Sequence, residues 1–193
     1  MKPIDLSGFA EKFAGSTDPW ATFTNRDEAV KRAAILHGLG PGPVGRVLEL
    51  ASGNGSNSQV IARRALRLDA TEGTAEGTRL TAAAIQDYPR ARAIKLALPA
   101  RLPRPSYDAV IVAELLYYLK AHDMAQVAKD VSTALRPGGR LVLAHHRIDF
   151  YDFAQHAEGI QQRFLRLTGC AWKVRLVRAT RRWSVLAAIK QAG

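Results

Sequence analysis

The sequence contains one cysteine, Cys170, so it can build neither an intrachain disulfide nor a thiolate metal site. A reducing, cytoplasmic setting is the expectation that follows. No apolar run approaches the roughly 20 residues that a membrane-spanning helix needs. The start of the chain, Met1-Lys2-Pro3-Ile4-Asp5-Leu6, also lacks a long apolar stretch. A soluble protein with no membrane partner is therefore expected. Repeats and low-complexity tracts are missing as well. So is any G-x-x-x-x-G-K-[ST] loop, which excludes a P-loop nucleotide site. No histidine or carboxylate grouping has metal-ligand spacing, and no metal is expected.

Acid is scarce too: 17 Asp and Glu stand against 28 Lys and Arg, a net charge of +11. From Arg136 onward, eleven Arg or Lys face only Asp149, Asp152 and Glu158, so +8 of that charge lies there. Such a balance suits acidic partners, nucleic acid and anionic metabolites among them, though a solvated basic surface with no dedicated partner is the simpler reading. The remainder is ordinary. With 193 residues, 47% of them hydrophobic, the chain can fill one core, and a single domain over 1–193 is expected.

Pro41-Gly42-Pro43 sets off an N-terminal helical arm, residues 1–40, in which Asn25 caps a helix running to about His37. Asp18-Pro19-Trp20 reads as a turn with an exposed indole. Beyond Pro43, strand and helix alternate. Strands are expected near 47–50, 67–72, 93–97, 108–113 and 140–145, with helices near 56–66, 75–87 and 121–135. A helix over about 153–167 follows, then a hairpin from strands near 172–178 and 183–190. Five alternating strand–helix units imply an α/β, doubly wound, mainly parallel sheet, here closed by an antiparallel C-terminal hairpin.

The first strand runs into Ala51-Ser52-Gly53-Asn54-Gly55. Two glycines let the backbone turn tightly and expose its N–H groups at a helix N-terminus, beyond the carboxyl end of a strand where α/β folds bind ligands. Glu72 ends the second strand, placed to accept ribose hydroxyls. A dinucleotide fingerprint would want a third glycine where Ser58 stands. Glu49, near the end of the first strand, would repel a pyrophosphate but suits a ligand bearing an ammonium. That combination favours S-adenosylmethionine over a dinucleotide.

These residues resemble the class I S-adenosylmethionine-dependent methyltransferases, whose E/D-x-G-x-G-x-G loop corresponds to Glu49 through Gly55, with Ala51 in place of the first glycine. The resemblance implies a Rossmann-like, seven-stranded fold and a cofactor shell of Glu49, Ala51, Ser52, Gly53, Asn54, Gly55, Glu72, Gly73, Leu98 and Ala113. Leu98 stands where an adenine-binding acid is common, so only backbone contacts are implied there. Within the family the chain is most similar to the nodulation protein S-like N-methyltransferases. The shared stretches are Asp18-Pro19-Trp20, Glu28 with Lys31, and Glu114-Leu115-Leu116-Tyr117-Tyr118-Leu119. An amine on a small molecule or amino sugar is the acceptor this implies. RNA, reached through the basic C-terminal segment, is the second reading, and a non-catalytic S-adenosylmethionine-binding protein the third.

An amine acceptor must lose its proton before attack, and Glu114 and His145 are the candidate catalytic groups at the carboxyl ends of central strands. Adjacent strand residues face opposite ways, so only one of His145 and His146 should face the cleft. Trp20, Tyr117, Tyr118 and His146 are the candidate acceptor-site residues.

Overall fold

A computed structural model describes residues 3–192; Met1, Lys2 and Gly193 of the expected domain, and the first two residues of the expected arm, lie outside the described residues. The arm consists of two helices, α1 (Leu6–Gly15) and α2 (Arg26–Leu39). The Asn25 side chain accepts from the Asp27 backbone N–H at 2.8 Å and caps α2 as its sequence predicts.

The body follows as β1 (Val44–Leu50), α3 (Ser56–Ala62), β2 (Ala65–Glu72), α4 (Ala75–Ala84), β3 (Ala91–Lys95), β4 (Tyr107–Ala113), α5 (Ala121–Ala134), β5 (Leu135–His146), α6 (Ile160–Leu167), β6 (Trp172–Ala179) and β7 (Trp183–Lys190). The seven strands lie in the order β3-β2-β1-β4-β5-β7-β6. Pairing is parallel from β3 across to β5, and antiparallel for β5–β7 and β7–β6, as expected for a doubly wound sheet ending in a hairpin.

Two apolar cores sandwich the sheet. Leu48, Val110, Val112, Leu141 and Leu143 face α5 and α6. Val47, Ile111, Val142 and Ala144 face α2 and α3. Alternation along each strand sends successive residues to the two sides, which is why these central strands read as unbroken apolar runs. Among the described residues, no helix is long and apolar enough to cross a membrane.

Between β3 and β4, where the sequence places no helix, residues 96–106 run irregularly, and Pro99, Pro103 and Pro105 fit that. One expected element differs. The helix expected from 153 begins only at Ile160. The Asp149 carboxylate binds the His156 ring at 2.6 Å and the Ala157 N–H at 2.7 Å, and Gly159 sits at φ +65°. Those contacts hold the preceding residues in a loop.

Candidate functional site

The strand order reverses between β1 and β4, and the segments leaving their carboxyl ends flank one crevice. From β1 comes the glycine loop. Ala51, Gly53 and Gly55 adopt φ of +53°, +61° and +82°. A Cβ on Gly55 would lie 2.9 Å from the Thr81 Cα, so only glycine lets α3 start this close to α4. A Cβ on Gly53 would meet only the Phe13 ring, at 3.8 Å, leaving the backbone open toward the arm. Ser52 is tied to Thr81 by a hydroxyl–hydroxyl bond of 2.9 Å.

Two carboxylates sit beneath this loop. Glu49 is buried, and its Oε2 accepts from the Ser58 hydroxyl at 2.5 Å. Burial pushes its carboxyl up to about 8; the Ser58 bond opposes that, and the nearby Glu72 charge adds to it. Glu72 is also buried, and its burial outweighs its hydrogen bonds to raise it. Its Oε1 accepts from the Thr74 N–H at 2.9 Å, and its Oε2 from the Gly53 N–H at 3.1 Å. Neither carboxylate has an ion-pair partner among the described residues. Two adjoining buried carboxylates without a cation suit a positively charged ligand, the fit the sequence pattern implies.

The arm lies over this loop. The Asn54 amide donates to the Asp18 carboxylate at 2.9 Å and to the Thr17 carbonyl at 3.2 Å, so this side chain ties the arm down. A Cβ on Gly73 would fall 2.6 Å from a Leu6 methyl, so α1 packs onto the turn after β2. Trp20 lies edge-on to Phe13 at 5.4 Å, and Phe9 in turn lies 4.9 Å from the Tyr118 ring. Tyr117 instead is buried, stacked on Phe153 at 3.7 Å, so it supports the aromatic wall from behind. Leu98 packs against the α5/α6 core, and Ala113 is buried at the end of β4.

Glu114 leaves β4 at φ +52°, a conformation that costs a residue with a side chain roughly 1–2 kcal/mol. Its N–H donates to the Ala144 carbonyl at 2.8 Å, fixing that turn. The carboxylate is not free. Lys31 from α2 reaches it at 2.5 Å and also touches Glu28 at 2.8 Å. Burial alone would lower the Lys31 ammonium, but the two carboxylates outweigh it and hold it above its ordinary value. The trio carries two negative charges and one positive, a net −1 beside the crevice.

The two histidines part as strand alternation requires. His145 is fully enclosed, and its Nε2 accepts from the Leu115 and Leu116 N–H groups at 3.4 and 3.3 Å. Burial, reinforced by Lys31 and His146, drops it to about 3. Enclosed, with its Nε2 lone pair already taken by those two N–H groups, the ring offers no site that an acceptor's proton can reach, so the catalytic expectation for His145 gives way to a role in shaping the turn after β4. His146 faces the other way. Its Nδ1 lies 3.2 Å from the Arg182 carbonyl, which can only accept, so the neutral ring carries its proton on Nδ1. Nε2 then presents a lone pair 3.9 Å from the Glu114 carboxylate. A cavity of about 700 Å³ opens alongside, bordered by His146, Arg147, Glu158, Gln162 and Arg181.

Lys31 and Ser58 are functional neighbours that sequence reasoning did not assign. A lysine on the buried stripe of α2, one turn after Glu28, is the signal that marks the first; nothing local marks Ser58.

A family profile described as "Methyltransferase domain" matches residues 48–141, from β1 into β5. No curated protein matches the sequence. Among solved structures, the N-methyltransferase NodS from Bradyrhizobium japonicum, in complex with S-adenosyl-L-homocysteine, superposes with a TM-score of 0.83 at 19% identity, covering 97% of this chain and 98% of that one. A SAM-dependent methyltransferase from Leishmania major gives 0.77 at 15% identity, covering 96% and 82%. One from Aquifex aeolicus gives 0.70 at 15% identity, covering 96% and 98%. At these identities the likeness is one of fold.

Proposed function

We propose that this chain, a class I S-adenosylmethionine-dependent methyltransferase, passes the methyl group to an amine nitrogen of a small molecule or amino sugar. One observation carries the choice of acceptor: the Glu28–Lys31–Glu114 trio leaves a net −1 at the mouth of the crevice, which an incoming ammonium would neutralise. When bound, S-adenosylmethionine supplies a methyl group already activated by its sulfonium. Glu49 offers its carboxylate to the cofactor's positive charge, and Glu72 accepts from the ribose. The backbone at Ala51, Gly53 and Gly55, with Gly73, Leu98 and Ala113, shapes the rest of that shell. The arm over 1–40 acts as a lid that excludes water and seats Trp20 and Tyr118 against the acceptor. Glu114 receives the ammonium, and His146 Nε2 takes its proton, because that lone pair is the basic atom free to do so.

RNA is the competing acceptor, supported by the basic residues of β6 and its turn. Against it, β6 is the sheet's outer strand, separated from β4 by β5 and β7.

The deciding experiment is a methyl-transfer assay with labelled S-adenosylmethionine against amino sugars, small amines and RNA. Transfer to an amine is expected; transfer to RNA alone overturns the reading, and no transfer beside intact cofactor binding leaves a binding protein. Calorimetry should also find S-adenosylmethionine or its demethylated product bound and NAD ignored.

Glu72→Ala tests the ribose contact. It leaves ligand hydroxyls and the Gly53 and Thr74 N–H groups without an acceptor, at about 1–3 kcal/mol for an unpaired donor. Cofactor affinity should fall roughly 10- to 100-fold. Parental affinity in the folded variant would remove Glu72 from the shell.

A further inference from the structure

At the other end of the sheet lies a second cavity, of about 320 Å³, to which Arg46, Arg67, Arg90, Arg92 and Arg104 contribute. Arg46 and Arg67 each stand third in their strands, β1 and β2, and Arg90 and Arg92 flank the start of β3. These are the amino ends of the strands, whereas the glycine loop and Glu72 mark the carboxyl ends. Arg67 and Glu72 lie five steps apart along β2, about 16 Å at the rise of an extended strand. The cavity is therefore separate from the methyl-transfer crevice.

Register puts the arginines together on one face. Arg46 pairs directly with Arg67, and Arg92 with Asp69 two residues further along β2. Leu48, two residues after Arg46, belongs to the α5/α6 core, so this is the face that α5 and α6 cover further across the sheet. The β3-to-β4 connection contributes no helix here, and Arg67, Arg90, Arg92 and Arg104 stay exposed.

The charge on this face is not balanced from within. Among the described residues, Asp69 is the one acid lining the cavity, and both its oxygens are used: Oδ1 by Arg92 at 2.5 Å and Oδ2 by the Tyr107 hydroxyl at 2.9 Å. Five guanidiniums against one carboxylate leave +4. The side chains of Arg46, Arg67, Arg90 and Arg104 have no hydrogen-bond or ion-pair partner among the described residues. Like charges placed opposite each other on adjacent strands destabilise a sheet, and a bound anion reverses that cost.

We propose that this arginine cavity binds a compact chain of phosphates, free or as the polyphosphate part of a small molecule. Four unpaired positive charges around so small a space call for several negative charges in little volume. A phosphate chain provides them, and guanidinium forks match phosphate oxygens in pairs. Among the described residues no exposed aromatic lines the cavity, so it lacks the stacking platform with which proteins hold single-stranded nucleic acid.

Calorimetry of the full chain with inorganic tripolyphosphate, at about 0.1 M salt to screen loose surface attraction, tests the site. Saturable binding is expected. It should weaken at least about tenfold in the Arg46→Ser, Arg67→Ser double variant and in Arg90→Ser, each losing guanidinium–phosphate bonds. The Arg178→Ser, Arg181→Ser, Arg182→Ser variant should bind like the parent. Methyl transfer without tripolyphosphate should be unchanged in the double variant, and its melting temperature no lower, since a like-charge pair is gone. ATP binding as tightly as tripolyphosphate marks the phosphate chain itself as the ligand; tighter ATP binding marks a nucleotide carrying it. Absence of saturable binding in the parent overturns the proposal. So does binding that survives the double variant, or an RNA oligomer that displaces tripolyphosphate through these arginines with higher affinity.

Discussion

Glu49→Gln is expected to stabilise the ligand-free protein at about pH 8.5 and, in the same molecule, to weaken S-adenosylmethionine binding by about two orders of magnitude. Both effects come from one buried carboxyl held up to about 8 against an ordinary 4.5. Above pH 4.5 the unfolded chain releases this proton, while the ligand-free native state keeps it until about pH 8. The native state therefore binds more protons across that window, and its stability falls as pH rises through it. At full titration the loss is on the order of 5 kcal/mol. Glutamine keeps the shape and can still accept from the Ser58 hydroxyl, but has no charge to bury. Difference melting curves of variant and parent should therefore separate progressively between about pH 5 and 8.

The cofactor reverses the sign. A cationic ligand needs Glu49 ionised, so binding below pH 8 expels a proton, and parental affinity should fall about tenfold per pH unit on the acid side. The variant's affinity should be nearly independent of pH. Calorimetry in buffers of different ionisation enthalpy would detect the released proton directly. An unchanged affinity in Glu49→Gln, or a flat pH profile in the parent, would remove Glu49 from the cofactor site.

How far the sequence leads depends on the range of the interactions involved. The turn from β1 into α3 is local, and glycines at φ +61° and +82° announce it. Ala51 shows the limit of that reading. As a sequence change it is one added methyl, but it adopts φ +53°, so the methyl is carried in a left-handed conformation that glycine would hold more cheaply. The irregular β3-to-β4 connection is legible in three prolines, and no helix is expected there. Strand alternation says that His145 and His146 part company. It does not say which faces inward, because that is decided by the pairing of β5 with β7, His145 opposite Ser184 and His146 opposite Trp183. Least legible are the contacts made across the chain. Lys31 meets Glu114 over 83 residues, and Asn54 binds an arm more than 30 residues earlier. Neither follows from spacing, because the docking of the arm creates both. The arginine cavity is hidden for the same reason: its members are scattered over 59 positions from Arg46 to Arg104, and strand register alone makes them neighbours.

Glu114→Gln should lower the methyl-transfer rate at subsaturating acceptor by about 10²-fold or more while leaving cofactor affinity nearly unchanged. The parental trio of Glu28, Lys31 and Glu114 carries net −1; with glutamine it is neutral, and an arriving ammonium loses its attraction to the crevice. The substitution is gentle on the fold. Lys31 is buried, but it keeps its 2.8 Å contact with Glu28, so no unpaired charge is left inside. Gln can also still accept from the His146 N–H, which lies 3.3 Å from the parental Oε2. The deficit should fall mainly on KM, since the proposed proton acceptor is the lone pair of His146. His146→Asn should show the complementary pattern, a lower kcat with KM little changed. Kinetics with labelled cofactor on both variants, alongside calorimetry, separates the two roles. If Glu114→Gln turns over at the parental rate, the carboxylate serves only to hold the strained turn and the arm. If it loses the cofactor instead, Glu114 belongs with Glu49 and Glu72 in the cofactor shell.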